Sequence, residues 1–495
     1  MSTTIEKLAA RRTLNYAILA AAVVLFSATR LPFDNEFIYL LRLATTYNHH
    51  LLLNDPSFAN AGSEHWIFNH LFGLFTYFLS IETIGWVGRA ACWLGLSAGL
   101  VRLGRNWNIP LWVITASIIV WLAQGQSVVA SEWIVGGFEA KCVAYICLLF
   151  ALDGFICEKK IYPAMLLGLT FSFHPAVGLW SILAVGIALL VARRPLRYTL
   201  TTVALSGVFA LPGLIPLLLE RGGTSSAEDW KFVELVRMPQ LFDAFSWSKA
   251  AIVLVVLQLI FVIYFYASPG DERRERFIPA FLAGLGAFFV VGISFRATGQ
   301  WELLQLMPTR LFPVFAPLFF LFSLGAAYRE KLLGPPVKWL ACLGFSCLLI
   351  WTSAFTATSE RLRLNYQSWT AQPDDTAKCF LWLHDNTPNG AVAIAPPWRK
   401  DYWYLSRRAQ VVSSGFPTYS DLHGWRERVQ MLTGESLDRP RTEKDERPAF
   451  YTALPESAIR EQSRSLSASY IVTNARYSFP VVYESGDTRI YDISK

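Results

Sequence analysis

Long apolar segments separated by short polar loops fill the chain up to residue 356, whereas charged and apolar positions are mixed after it. A helix needs roughly 17–25 mostly apolar residues to cross the hydrocarbon core of a bilayer. Nine segments approach or meet that length: 14–31, 84–101, 110–127, 138–157, 199–219, 250–267, 278–295, 311–327 and 338–356. The pattern predicts an α-helical polytopic membrane domain over residues 1–356 and a separate domain over residues 357–495.

Two further stretches decide the number of spans. The run 161–192 is too long for one span and is interrupted by His174-Pro175, so we read it as two short passes. This reading keeps the basic residues around 159 and 194 on one side, as the positive-inside rule favours. The aromatic segment His65–Ser80 is short, and we place it at the outer interface. The result is about eleven transmembrane helices with a cytoplasmic N-terminus and an extracytoplasmic C-terminal domain.

The pattern after residue 357 is typical of a small α/β domain. Asp374-Asp375 forms a helix cap, and a turn around Gly486 separates two alternating segments that read as a hairpin. The predicted helices are 376–385, 421–432 and 456–467, and the predicted strands before the hairpin are 391–395, 410–413 and 469–473. The charged segment 435–448 reads as a loop.

Composition supports a membrane protein. The chain of 495 residues is 53% hydrophobic and only 16% charged, with a mean hydropathy of +0.35, whereas soluble domains carry about 25% charged residues. The net charge of +7 lies mostly in short loops between apolar segments, where basic residues set membrane orientation. We therefore expect the lipid bilayer, and not nucleic acid, as the partner of these residues.

The most informative polar positions follow the first span. Asp34 and Glu36 lie at the predicted outer edge of the membrane, at the start of a long loop. A carboxylate there can act as a general base that takes a proton from an acceptor hydroxyl. The alternative is structural, because Asp34 can also cap an interfacial helix.

Other ionisable residues lie near the predicted outer ends of spans. Glu139 and Lys141 stand at a depth where charged groups usually pair or face a wet cavity. His174 falls in an outer turn, either as a structural residue or as a donor to a phosphate or hydroxyl. Arg296 and Arg310 suit a donor phosphate, because a guanidinium matches phosphate oxygens bidentately; the alternative for both is snorkelling to the interface.

The C-terminal domain adds aromatic and basic candidates, of which Trp398 and Arg399 are the first. Aromatic rings stack on sugar faces and Arg holds anions, although the same residues also pack domains together. The sequence has no P-loop, no GxGxxG, no HExxH and no GxSxG. We therefore expect neither ATP-driven transport nor classical hydrolase chemistry. With a lipid-linked donor no soluble cofactor is needed, because the lipid carrier activates the leaving group, and no motif supports a divalent metal, which leaves the metal requirement open.

A first span, an outer loop opening with Asp34 and Glu36 near Tyr39, interfacial helices, many further spans and an outer C-terminal domain together resemble the GT-C superfamily of membrane glycosyltransferases. The resemblance implies a polyprenyl-phosphate sugar donor and an acidic base in the first outer loop, either Asp34 or Glu36. A narrower resemblance, to an uncharacterised family of bacterial multi-pass proteins, implies fold and topology but no reaction. It rests on Gly136-Gly137-Phe138-Glu139-Ala140-Lys141, Phe173-His174-Pro175 and Trp382-Leu383.

These observations favour an integral membrane glycosyltransferase-like protein at the outer face of a bacterial inner membrane. It would transfer a sugar or related group from a lipid-linked donor to a glycan or lipid acceptor. Two alternatives stay open: a transporter or flippase of lipid-linked glycans, and a non-catalytic assembly protein on the same fold.

Overall fold

The computed structural model describes residues 2–59, 65–123, 126–127, 129–130, 132–219, 225–267, 273–321, 362–438 and 446–494. Helices dominate the first part of the chain. They are α1 (Ser2–Ser27), α2 (Glu36–Tyr47), α3 (Pro56–Ala59), α4 (Trp66–Gly73), α5 (Ile81–Asn106), α6 (Leu111–Ala123), α7 (Ala140–Ile156), α8 (Ile161–Phe173), α9 (Pro175–Val191), α10 (Leu196–Leu219), α11 (Ala227–Phe232), α12 (Pro239–Phe242), α13 (Lys249–Ala267), α14 (Arg273–Thr298), α15 (Trp301–Leu304) and α16 (Phe312–Leu321). A π-helical turn, Val233–Arg237, follows α11.

The predicted spans correspond to helices wherever the structure describes them. Among the described residues, three helical stretches are long and apolar enough to cross a membrane: Ile81–Asn106, Leu196–Leu219 and Arg276–Thr298. Several further apolar helices are shorter, with 10–17 residues each. The predicted segment 338–356 and the predicted domain boundary after residue 356 lie outside the described residues. The total of about eleven spans therefore stays a prediction.

Helices α8 and α9 show how local sequence shapes the bundle. His174 stands between them with an extended backbone, φ −150° and ψ 101°, and Pro175 is the first residue of α9. Proline suits this position because its missing N–H would have no helical partner there. The long apolar run 161–192 thus becomes two helices, as its His174-Pro175 break predicts.

The C-terminal part is a mixed α/β unit. Its helices are α17 (362–370), α18 (Asp375–Asn386), α19 (Tyr402–Ser406), α20 (Leu422–Thr433), α21 (Glu446–Thr452) and α22 (Glu456–Leu466). Its strands are β1 (Val392–Ile394), β2 (Ala409–Gln410), β3 (Tyr470–Thr473), β4 (Val481–Ser485) and β5 (Thr488–Asp492). The sheet order is β2-β1-β3-β5-β4, with β1 parallel to β2 and β3, and with β5 antiparallel to β3 and β4.

Both faces of the sheet are mostly buried along β1, β3 and β5, and each face also packs against segments from the first part of the chain. One face, which includes Ile394 and Ile471, shares a hydrophobic cluster with α20 and with Phe232 of α11. The opposite face, which includes Val472, shares a cluster with α18, α19 and Ile38 of α2. Consecutive strand residues point to opposite faces, so the all-buried pattern of β1 follows from this double packing.

A buried carboxylate joins the two parts of the chain. Asp55 accepts hydrogen bonds from Trp403 Nε1 at 2.6 Å, from the Gln410 amide at 2.8 Å and from the Ser57 amide at 2.8 Å. Burial raises the pKa of Asp55 to about 6, although the three donors favour its ionised form. The C-terminal unit consequently packs against the segment between α2 and α3.

Candidate functional site

A cavity of about 1270 Å³ lies between the helix bundle and the C-terminal unit. Its walls come from α2, the segment before α7, the α8–α9 turn, α9, α10, the segments 230–242 and 305–310, and the C-terminal unit. Among the described residues, two carboxylates line it, Asp34 and Glu132. Six basic side chains of the described part also line it, and the surplus favours an anionic ligand: Arg42, Lys141, Arg237, Arg310, Lys400 and Arg447.

Asp34 lies at the cavity wall just before α2. Its φ of +48° falls in the left-handed region, which non-glycine residues seldom adopt. One carboxylate oxygen accepts a hydrogen bond from Trp133 Nε1 at 3.0 Å, and the other pairs with Lys400 Nζ of the C-terminal unit. Burial alone would raise the pKa of Asp34, but Lys400 and Trp133 outweigh it and hold the pKa below its ordinary value. The side chain is therefore an ionised carboxylate that can accept a proton.

Glu36 is fully buried and does not line the cavity. Arg89 of α5 donates to both carboxylate oxygens of Glu36, with an Nε–Oε1 distance of 2.9 Å. The backbone amides of Phe33 and Phe138 also donate to this carboxylate, at 2.9 and 2.7 Å. A Cβ added at Gly137 would lie 3.1 Å from the Glu36 carboxyl carbon, so the chain approaches the carboxylate closely there. Glu36 thus ties α2, α5 and the segment before α7 together.

Glu132 organises the buried charges of the cavity. It pairs with Arg310 Nη1 through one oxygen and with Lys141 Nζ at 3.2 Å through the other. Lys141 also stands 4.1 Å above the Trp133 ring and 3.1 Å from Glu139. Arg310 Nε is buried and has no hydrogen-bond partner among the residues that the structure describes. The cluster leaves donor capacity available to a ligand.

A row of polar rings extends from Arg310. Arg310 Nη2 lies 3.1 Å from His174 Nε2, and a guanidinium only donates, so His174 is the acceptor and its ring is neutral. The His174 and His65 rings lie 4.9 Å apart, and His65 Nε2 lies 3.0 Å from the Tyr39 hydroxyl. This row connects α2 and the residue before α4 with the segment that precedes α16.

An apolar groove between α9 and α10 leads away from the charged cluster. Its lining residues recur three or four positions apart, which puts them on one face of each helix. They are Ala176, Leu179, Ile182 and Leu183 on α9 and Gly207, Ala210, Leu214 and Leu217 on α10. A Cβ added at Gly207 would meet no atom within 4 Å, so the groove is open there.

The structure brings together five of the nine residues singled out from the sequence. Those that line the cavity are Asp34, Lys141, His174, Arg310 and Trp398. Glu36 and Glu139 are buried beside it. Arg296 pairs with Asp243 at 2.7 Å, and Arg399 pairs with Asp374 at 2.7 Å and with Asp401 at 2.6 Å, so both are engaged outside the cavity.

Four important lining residues were not singled out from the sequence: Arg42, Glu132, Trp133 and Lys400. Glu132 carried a usable signal, because a carboxylate between two apolar spans is costly unless it is paired. Lys400 carried no such signal, because its neighbours in the sequence do not reveal that it contacts Asp34, 366 positions earlier in the chain.

The overall fold is similar to that of two membrane glycosyltransferases of the GT-C type. The arabinofuranosyltransferase AftD from Mycobacteria matches 98% of this chain at 14% identity with a TM-score of 0.50, and the match spans 40% of AftD. The oligosaccharyltransferase of Archaeoglobus fulgidus, crystallised with a tethered acceptor peptide, matches 93% of this chain and 69% of its own at 13% identity with a TM-score of 0.45.

The sequence matches no protein-family profile, and no curated protein is detectably similar to it. The structural likeness to AftD, at a TM-score of 0.50, confirms the GT-C resemblance at the level of the fold only. The narrower resemblance to a bacterial multi-pass family stays a prediction.

Burial of the Glu36–Arg89 pair predicts that loss of this pair destabilises the protein far more than loss of an exposed ion pair. Arg89→Met leaves the buried Glu36 carboxyl without its cation, so we expect a loss of about 3–5 kcal/mol in the free energy of unfolding. The control Lys378→Met removes an exposed pair with Asp375 and should leave the unfolding temperature close to that of the unmodified chain. Thermal unfolding of the detergent-solubilised chain measures both. Equal unfolding temperatures for the two variants would contradict the structural role of the Glu36–Arg89 pair.

Proposed function

We propose that the protein transfers a glycosyl group from a polyprenyl-phosphate donor to an acceptor hydroxyl at the outer face of a bacterial inner membrane. The observation that supports this proposal is that one cavity is lined by three kinds of groups. An ionised carboxylate, a buried cationic cluster and an apolar groove line it together. These three features suit the base, the lipid phosphate and the lipid tail of such a reaction.

The donor phosphate would bind beside Arg310 and Lys141. Lys141 pairs with Glu132 and Glu139, Arg310 shares Glu132, and the unpartnered Arg310 Nε supplies a hydrogen-bond donor. Arg42 lines the same cavity, and its buried Nε also has no hydrogen-bond partner in the described part of the chain. The polyprenyl chain would then extend into the groove between α9 and α10, where small residues such as Gly207 leave room.

Asp34 would act as the general base in this proposal. The acceptor hydroxyl gives its proton to Asp34 while its oxygen forms a bond to the anomeric carbon of the donor sugar. The bond between that carbon and the phosphate oxygen breaks, and the lipid phosphate leaves with the electron pair. Arg310 and Lys141 stabilise the charge that develops on the phosphate. We assign the base to Asp34 because Glu36 is held by Arg89 outside the cavity.

The orientation of the protein belongs to this proposal as well. Lys400 contacts Asp34, so the C-terminal unit and the candidate base share one side of the membrane. The positive-inside rule puts that side opposite the short basic loops, hence outside.

Replacement of Asp34 tests the proposed chemistry. Asp34→Asn keeps the size of the side chain but removes the base, so we expect turnover to fall by about 10²–10⁴-fold. The assay follows transfer of labelled sugar from a panel of synthetic polyprenyl-phosphoryl sugars, and donor binding should persist. The control Asp401→Asn changes a carboxylate outside the cavity and should retain activity. Unchanged glycan chemistry with blocked translocation would favour a flippase, and no effect on either would favour an assembly protein.

A change in the groove tests where the lipid tail binds. Gly207→Leu places a side chain in open space, so we expect normal folding and a rise on the order of tenfold in the KM for the lipid-linked donor. Gly186→Leu is the matched control, because its Cβ position is equally open but Gly186 does not line the cavity. A KM that responds to both substitutions, or to neither, would reject this groove as the tail site.

Removal of Lys400 should change the pH dependence of turnover. Lys400 lowers the pKa of Asp34, and in Lys400→Gln only Trp133 and Lys141 still oppose the effect of burial, so the pKa should rise. Because the base works only when ionised, the acid limb of kcat/KM against pH should move to higher pH. Lys378 belongs to the same unit but pairs with Asp375 and not with Asp34, so Lys378→Gln should leave the pH profile of kcat/KM unchanged. An acid limb that stays put in Lys400→Gln would mean that Asp34 is not the titrating base.

A further inference from the structure

The outer end of the cavity carries a pair of stacked aromatic rings, here called the aromatic platform. It consists of Trp230 of α11 and Tyr419 of the C-terminal unit, whose ring centroids lie 5.8 Å apart at an interplanar angle of 21°. Both residues line the cavity and both are partly exposed. The two rings come from segments 189 positions apart, so docking of the C-terminal unit creates the platform.

Tyr419 belongs to a segment, 413–420, that is held in place from several directions. Arg237 donates to the Ser414 carbonyl through Nε at 2.9 Å and through Nη2 at 2.8 Å. Trp425 Nε1 donates to the Ser413 carbonyl at 2.8 Å. The Ser57 and Thr418 hydroxyls lie 3.2 Å apart, which connects the segment to the first outer loop. A recognition surface fixed in this way loses little conformational entropy when a ligand binds.

The same segment continues toward the candidate base. The Cβ position of Gly415 lies 3.7 Å from Lys400 Cε, and Lys400 Nζ stands 5.9 Å from the Phe416 ring. Lys400 in turn pairs with Asp34. The platform, the segment 413–420 and Asp34 therefore line one continuous wall of the cavity.

The chemistry of this end is aromatic and hydroxyl-rich. Trp398, Phe416, Ser414 and Ser420 line the cavity with the platform, and among the described residues the carboxylates that line it are Asp34 and Glu132. Arg237 and Arg447 are the basic members of this end, and both pair with the buried Glu435. Flat rings match the C–H faces of a sugar, and hydroxyls and backbone groups match its O–H groups.

We propose that the aromatic platform and the segment 413–420 form a subsite for a saccharide acceptor. The acceptor role rests on the proposed glycosyl transfer, whereas saccharide binding does not. A sugar stacked on Trp230 and Tyr419 directs the rest of the chain along Gly415 toward Asp34. A peptide or a lipid acceptor would gain less here, because the platform presents ring faces and not an exposed strand edge or an aliphatic slot.

The experiment measures binding without requiring turnover. Full-length chain in lipid nanodiscs is applied to an array of neutral and uronic-acid oligosaccharides, with immobilised peptides and anionic lipid vesicles as other probes. The strongest saccharide is then titrated by calorimetry. We expect saccharides to be retained, and Trp230→Ala and Tyr419→Ala to weaken their binding by about tenfold or more each. Tyr419→Phe should keep most of the affinity.

Trp382→Ala is the matched control. Trp382 stacks on Tyr483 at 5.5 Å and 15° in the same C-terminal unit, but neither ring lines the cavity. Its removal should leave saccharide binding unchanged. Retention of no oligosaccharide at millimolar concentration, preferential retention of peptides or vesicles, or equal effects of Trp230→Ala and Trp382→Ala would overturn the subsite.

The outcome separates this inference from the proposed function. Asp34→Asn should bind the saccharide as the unmodified chain does. Saccharide binding without any transfer would leave the subsite standing and reject the transferase. Sugar transfer with an acceptor KM that Trp230→Ala leaves unchanged would support the transferase and reject the subsite.

Discussion

The cavity depends on the burial of both faces of the C-terminal sheet. Ile38 of α2 enters the cluster on one face and Phe232 of α11 enters the cluster on the other, so segments from the first part of the chain complete the core of the α/β unit. Each buried side chain of this size contributes about 1.5–3 kcal/mol. Asp55, with its three donors, adds direction to this apolar contact, because it fixes where Trp403 and Gln410 sit. Lys400 and Tyr419 reach the cavity as a consequence.

The charges of the cavity are arranged in pairs. Glu132 lies between Lys141 and Arg310, and Asp34 lies against Lys400, so each of these carboxylates has a cation. The Glu132 cluster is buried, and buried ion pairs are seldom the most stable solution, because desolvation of both partners opposes their attraction. In the proposed function, the lipid phosphate would bind beside Lys141 and Arg310, and its apolar chain would occupy the groove between α9 and α10.

The two carboxylates after α1 lie two positions apart at the start of α2, yet their side chains point in different directions. Asp34 precedes α2 with a left-handed backbone and faces the cavity, while Glu36 is the first residue of α2 and turns into the bundle toward Arg89. Gly137 allows the backbone to come close to Glu36, and the amide of Phe138 uses that approach. One carboxylate is thus fixed by a buried guanidinium, and the other stays accessible.

Local features of this protein followed from its sequence. The break at His174-Pro175, the cap at Asp374 and the hairpin around Gly486 depend on neighbours within a few positions, so their backbone chemistry is readable from the chain. The mixed helical and α/β organisation followed from hydrophobic pattern for the same reason. The tertiary structure alone decided which polar residues share a cavity. The contacts of Asp34 with Lys400 and of Glu132 with Arg310 span 366 and 178 positions, and such pairs form only because apolar burial elsewhere brings their segments together.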